Sequence, residues 1–229
     1  MSGANISLHV YNIEQGTDEW YALRCGLVTA SVVGTLITAK TLKPAENETS
    51  RSLTNLLAAE RITGHVEPVH ESSDMIRGSL DEPYARDIYT AHYAPVTQVG
   101  FMVRDDFGFG IGYSPDGLVG DDGLIEIKSR KQKIQLKTIL DDQVPAENMA
   151  QIQTGLLVSG RKWCDYISYS GGMHLYTKRV FPDLNWHAAI IQAVAHFEKA
   201  TDDIITRYTQ KTLTLPPTTR VDHFADIEF

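Results

Sequence analysis

Cysteine is scarce in this chain: of 229 residues only Cys25 and Cys164 carry a thiol, and they form no CxxC pair. That excludes a disulfide framework and a thiolate metal knot, and it predicts two core thiols in a reduced, cytoplasmic compartment. No uninterrupted apolar run is long enough to span a bilayer, so no membrane partner is expected. The opening MSGANISLHV has neither the basic start nor the apolar stretch of a secretory signal. There is no GxxxxGK[ST] loop, which argues against ATP use, and the glycines of GFGIG lack GxGxxG spacing. The eight histidines form no HExxH, and His65 and His70 in GHVEPVH read as loop residues rather than zinc ligands. Positive charge is also in the minority, with 21 Lys and Arg against 29 Asp and Glu and a net charge of −8.

What is present is enough apolar sequence, 42% of residues, to bury an ordinary core. The sparse positive charge is unevenly spread. Five of the 21 basic residues fall within residues 128–137, a local stripe that suits DNA or, more plainly, a solvated helix face. Helical patterns come first. TDEWYALRCG has Thr17 as cap, Asp18 and Glu19 in its first turn and Gly26 at its end. TASVVGTLI makes a second short helix, and SRSLTNLLAAERITG a third, capped by Ser50, striped by Leu53, Leu56 and Leu57, and closed by Gly64. SSDMIRGSLDEPYARDIYTAHY is helical with an expected break at Pro83, which places Glu82 at an irregularity.

From residue 96 the period shortens to that of strands through VTQVGFMVR, FGFGIGYS and a hairpin. A helix with Pro145 in its first turn, the strands WCDYISYS and HLYTKRVF, and a long closing helix follow. This order predicts an α/β fold, a mixed sheet flanked by helices. Residues 1–210 form one domain, and residues 211–229, with Pro216-Pro217 and an acidic, Phe-containing end, form a tail expected to pack on a neighbouring subunit or a partner.

The hairpin SPDGLVGDDGLIEIKSR carries the chemistry. If Asp121-Asp122-Gly123 is a three-residue loop ending in a left-handed glycine, Leu118 faces Glu126 and Asp116 faces Lys128. Asp116, Glu126 and Lys128 then share one face, while Ile125 and Ile127 point to the other. Two carboxylates beside a lysine suit a hard divalent cation and phosphodiester chemistry. The competing explanation is an Asp–Lys pair that only holds the strands together.

SPDG followed by EIK resembles the PD-(D/E)xK nuclease signature. LRCGLVTAS, GSLDEPYA and MAQIQ, in this order from about residue 14 to residue 160, resemble the blocks of the bacteriophage lambda exonuclease family. The resemblance implies a restriction-endonuclease-like core and degradation of one strand of duplex DNA from a 5′-phosphorylated end. It also implies two Mg²⁺ ions, replaceable by Mn²⁺, a homotrimeric ring and a partner protein that anneals single strands. Carried over by position, Asp116, Glu126, the Ile127 carbonyl and Glu82 would hold metal, and Lys128 would be the catalytic lysine. Gln151, or less closely Gln153, would be the glutamine of the following helix, and Arg24, Ser31 and Ser114 would hold the 5′-phosphate. Arg130, Lys131 and Lys133 are expected to contact DNA through charge alone. An endonuclease on the same fold and an end-binding module without turnover are the other readings of these residues.

Overall fold

The computed structural model describes residues 7–68 and 72–221. His70 and the tail's acidic, Phe-containing end, residues 222–229, lie outside the described residues. Strand β1 (Leu8–Tyr11) precedes α1 (Asp18–Arg24) and α2 (Ala30–Val33). The pair β2 (Ile37–Thr38) and β3 (Lys43–Pro44) leads to α3 (Glu48–Thr63) and α4 (Ser73–His92). Four strands follow: β4 (Phe101–Arg104), β5 (Ile111–Tyr113), β6 (Gly117–Val119) and β7 (Gly123–Ser129). The chain ends with α5 (Gln132–Asp141), α6 (Ala146–Ser159), β8 (Trp163–Tyr169), β9 (Tyr176–Val180) and α7 (Leu184–Thr212). Among the described residues no helix is long and apolar enough to cross a membrane.

The strands form sheets of order β1-β4-β5, β2-β3 and β6-β7-β8-β9, the last mixed because β7 and β8 run parallel while its other pairs are antiparallel. Parallel neighbours need a crossover, and α5 and α6 supply it. Alternation along β7 divides the core. Leu124 joins the larger cluster, with Tyr113, Ile152, Leu156 and Phe197, whereas Ile125 and Ile127 pack with Ala85 and Tyr89 of α4. Glu126, between them, therefore points to the α6 side.

Several expectations are corrected. The hairpin pairs Gly117 with Ile125, Leu118 with Leu124 and Val119 with Gly123, so its loop is Gly120-Asp121-Asp122 and the register is two residues from the expected one. Gly120, at φ 51°, supplies the left-handed turn. Gly123 is needed elsewhere, since a Cβ there would lie 2.2 Å from the Trp163 ring of β8. A shift of two leaves the faces unchanged, so Asp116 and Glu126 still converge.

Pro83 does not break α4, which runs unbroken around it. The missing amide leaves the Ser79 carbonyl unanswered, and anchoring of Ala85 and Tyr89 in the core outweighs that loss. Helix α3 starts earlier than expected: Asn47 is the cap, accepting from the Ser50 amide at 2.9 Å, and Leu56 faces solvent. Only Phe101–Arg104 of VTQVGFMVR is a strand, although Thr97 makes an isolated bridge to Leu118. The basic stripe opens helix α5, with Lys131, Lys133 and Lys137 exposed.

Candidate active site

Thr17 caps α1 by accepting from the Trp20 amide, and the helix presents Trp20 and Arg24 one turn apart. The Arg24 guanidinium lies 4.0 Å above the Trp20 ring, and burial pushes its pKa down. It approaches Thr29 Oγ1 at 3.4 Å and Ser31 Oγ at 3.5 Å, and the two hydroxyls are 3.0 Å apart. The Trp20 indole donates to Ser114 Oγ at 3.0 Å, just after β5. Arg24, Ser31, Ser114, Asp116 and Gln151 thus line one cavity of about 180 Å³, together with Gln15, Trp20 and Tyr113. The elements that meet there come from four separate parts of the chain.

Asp116 Oδ2 accepts from the Ile127 amide at 2.6 Å, an 11-residue span that fixes the carboxylate over β7. Burial, then the negative charges of Glu126 and Glu82, hold its pKa well above the usual carboxylate range. Glu126 is 1% exposed; its Oε1 lies 2.7 Å from Lys128 Nζ without hydrogen-bond geometry, and it has no other partner. Its Oε2 is 3.5 Å from the Tyr113 hydroxyl, whose pKa burial pushes far up so that the phenol stays protonated. Burial favours neutral Lys128, but attraction to Glu126 and Asp116 wins and the amine is held charged. Tyr113 reaches this place because Gly155 of α6 has no side chain, a Cβ there falling 2.7 Å from the phenol ring.

Glu82 lies in an adjoining hollow of about 670 Å³ that shares Gln15 with the cleft. Burial raises its pKa, against the pull of Arg86, with which it forms an ion pair. Arg86 also donates to the Asp116 carbonyl at 3.1 Å and so links the helix acid to the hairpin acid, a connection the sequence reading missed. Trp20, Thr29 and Tyr113 were missed as well. The i,i+4 spacing of Trp20 and Arg24 was the available signal for the first of these.

A hard cation fits this set. The donors are oxygens, the Glu126 Oε1 atom has the Lys128 charge beside it but no hydrogen bond among the described residues, and Asp116 is under repulsion that a positive ion would relieve. Among the described residues no three His, Cys, Asp or Glu side chains are clustered tightly enough to hold an ion alone. A hard cation held here would take one or two carboxylates and complete its shell with water or other oxygen donors.

Of the two glutamines, only Gln151 lines the cleft. Gln153 is fully buried, donating to the Phe181 carbonyl at 2.9 Å and accepting from the Asp183 amide at 2.9 Å, so it ties α6 to the β9–α7 connection. Gln153→Ala is expected to cost about 2 kcal/mol of stability by orphaning both groups, while the folded protein keeps any activity the cleft supports. Gln151→Ala is expected to do the reverse, and thermal melts beside rate measurements on both variants check the pair.

The expected DNA contacts divide in the same way. Arg130 is half-buried, its Nη2 donating to Asn148 Oδ1 at 2.6 Å and lying 3.4 Å from the Tyr166 hydroxyl, and Lys131 pairs with Asp74 at 3.1 Å. Lys133 is exposed on α5. Cys164 is a core thiol as expected, whereas Cys25 is only partly buried, and neither is in a disulfide.

Residues 19–162 match the model of the YqaJ-like viral recombinase domain. An alkaline exonuclease (LHK-Exo) from Laribacter hongkongensis is 33% identical, with a TM-score of 0.77 over 87% of this chain and 100% of that one. The same protein in complex with dAMP gives 0.75, again at 33% identity over 87% and 100% of the two chains. A phage related exonuclease from Haemophilus somnus 129PT, 13% identical, has a TM-score of 0.58 over 80% of this chain and 96% of that one and shares the fold. No curated protein sequence matches. The matched segment runs from α1 through the Asp116–Glu126–Lys128 hairpin to Gln151, and the chain belongs to the YqaJ-like viral recombinase domain family.

Proposed function

We propose that the protein is a Mg²⁺-dependent 5′–3′ exonuclease of double-stranded DNA, working in viral recombination by single-strand annealing. The observation that carries this reading is the shared cavity: a cation and two hydroxyls, Arg24, Ser31 and Ser114, sit in the same 180 Å³ cleft as Asp116 and Gln151. A guanidinium backed by hydroxyls is suited to a terminal phosphate. Held there, a 5′-phosphate brings the next phosphodiester toward the carboxylates, which is what cutting from an end requires. The LHK-Exo relative, an alkaline exonuclease with a dAMP complex, supports the same chemistry.

Asp116 and Glu126 would hold the ions, with the Ile127 carbonyl and, once freed from Arg86, Glu82 as further ligands. When bound, Mg²⁺ or Mn²⁺ supplies charge neutralisation at the scissile phosphate and acidifies the attacking water. Lys128, charged and anchored on Glu126, orients that water or steadies developing negative charge. Gln151 faces the same space and offers an amide donor to the reacting strand. Tyr113 keeps Glu126 fixed from behind. Lys133 on α5 steers DNA by charge, and a homotrimer with an annealing protein as partner is the assembly the family suggests. Residues 1–210 are the exonuclease domain, leaving 211–229 for contact with a subunit or partner.

The test is digestion in Mg²⁺ of linear duplex with a 5′-phosphate, linear duplex with a 5′-hydroxyl, and closed circular DNA. Rapid loss of the phosphorylated linear DNA with the circle intact is expected. Arg24→Ala should lower the rate on the phosphorylated end roughly 10–100-fold, the worth of a charge-assisted hydrogen bond pair, and leave the 5′-hydroxyl rate unchanged. Cutting of the circle would establish an endonuclease instead, and end binding without digestion a non-catalytic module.

A further inference from the structure

Glu126 and Lys128, two apart on β7, share one face, and Arg130, just past the strand's end at Ser129, is half-buried. Its backbone amide extends the parallel ladder to the Tyr169 carbonyl at 2.7 Å, so its Cα is fixed to β8. Its guanidinium Nη2 donates to Asn148 Oδ1 at 2.6 Å and lies 3.4 Å from the hydroxyl of Tyr166, the residue paired with Glu126 across the β7–β8 ladder. Nε is buried and has no hydrogen-bond partner among the described residues, so the side of the fork shared by Nε and Nη2 is turned into the protein.

Asn148 explains the arrangement. It is 7% exposed, sits in the first turn of α6 and donates its amide to the Pro145 carbonyl at 2.9 Å. No side chain caps this helix start, because its N-cap is Pro145. Gln151 comes three residues later, on the same side of the helix, and lines the cleft with Asp116. We propose that Arg130 is a positioning residue: it clamps the uncapped first turn of α6 through Asn148 and thereby sets Gln151 against the strand carrying Glu126 and Lys128. This rests on the nuclease reading above and assigns Arg130 a part in turnover rather than in DNA affinity.

The experiment measures kcat and KM for 5′-phosphorylated linear duplex, at several salt concentrations, on wild type, Arg130→Gln, Arg130→Lys, Asn148→Ala, Asn148→Asp, Gln151→Ala and the Arg130→Gln/Gln151→Ala double variant. Melting temperatures are recorded for each. Supporting residues of this kind are commonly worth about 10–100-fold in activity. Arg130→Gln and Asn148→Ala should each lose that much in kcat, with KM within about twofold and the salt slope unchanged. Asn148→Asp, which still accepts from the guanidinium, should recover most of the loss, whereas Arg130→Lys, which lacks the fork, should not. The double variant should be no slower than Gln151→Ala alone.

A raised KM with a salt slope shallower by about one would make Arg130 a phosphate contact and overturn the proposal. Losses that multiply in the double variant would also overturn it, as would unchanged kcat in Arg130→Gln or Asn148→Ala. If Arg130→Gln does not fold, Asn148→Ala and Asn148→Asp carry the same comparison. A wild type that digests none of the substrates would refute the nuclease reading itself, a result distinct from any of these.

Discussion

Asp116→Asn should all but abolish DNA degradation, by at least about 10³-fold, while making the metal-free protein harder to melt. The two effects have one origin. Burial and the neighbouring charges of Glu126 and Glu82 hold the Asp116 carboxyl well above the usual carboxylate range. A raised carboxyl pKa means that the folded chain holds a proton the unfolded chain has already released. Stability from this group is therefore lost as pH rises from the ordinary carboxylate value to the folded one, and the penalty persists at neutral and alkaline pH. Asparagine removes the charge and keeps an oxygen for the Ile127 amide, which Asp116 now receives at 2.6 Å. Each kcal/mol recovered moves the melting temperature by about 2–4 °C in a chain of this size. The check is thermal unfolding at pH 8 with and without Mg²⁺. Wild type should gain stability from the ion through its preference for the folded state, and Asp116→Asn should start higher and gain little. A variant that melts below wild type without metal, or that keeps a tenth of the activity, would remove Asp116 from the cation site.

How far the sequence could lead toward this site depended on the range of the interactions involved. Face parity in the hairpin was legible, because alternation is local and the shift in register was even; the register itself was not, because Gly123 is committed to Trp163, 40 residues away on β8. The cap at Thr17 and the left-handed Gly64 were legible for the same local reason. Pro83 misled, since its local penalty is outweighed by core contacts of Ala85 and Tyr89 that no window around residue 83 displays. Gln151 and Gln153 look alike in MAQIQ, and only the packing of α6 sends one to the cleft and the other to the Phe181 carbonyl. The charge of Arg130 was visible, but its partners were not, because Asn148 and Tyr166 come from α6 and β8. The family blocks compensated for this: Arg24, Ser31 and Ser114 share no local pattern, and their meeting in one cavity is a property of the tertiary fold.

On the other face of the same sheet, Asp165→Ala should lower stability by about 3 kcal/mol, and so the melting temperature by about 6–12 °C. Asp165 is 3% exposed and accepts from Arg179 Nε and Nη2 at 2.8 and 2.9 Å, across the β8–β9 register, and from the Tyr89 hydroxyl at 2.7 Å. Burial, followed by the hydrogen bond to Asp165, pushes the Tyr89 pKa up, so the phenol remains the donor throughout the working pH range. Alanine would leave that hydroxyl without an acceptor in a site 1% exposed, at a cost of about 1–3 kcal/mol. Arg179 suffers less: it is 46% exposed and lies 3.6 Å over the Trp163 ring, so its charge turns to water, which puts the total at the lower end for a broken buried pair. Tyr89→Phe alone should cost about 1 kcal/mol, and adding it to Asp165→Ala should cost less than the sum of the two, because the hydroxyl has already lost its partner. The network joins α4 to β8 and β9 and lines no part of the cleft, so folded Asp165→Ala enzyme should digest DNA at the wild-type rate at 25 °C and fail only as its lower melting point is approached. Additive losses would mean that Tyr89 and Asp165 do not act as a unit. A drop in rate at 25 °C without loss of folded protein would mean that the position of α4, and with it Glu82 and Arg86, depends on this buried charge and not on packing alone.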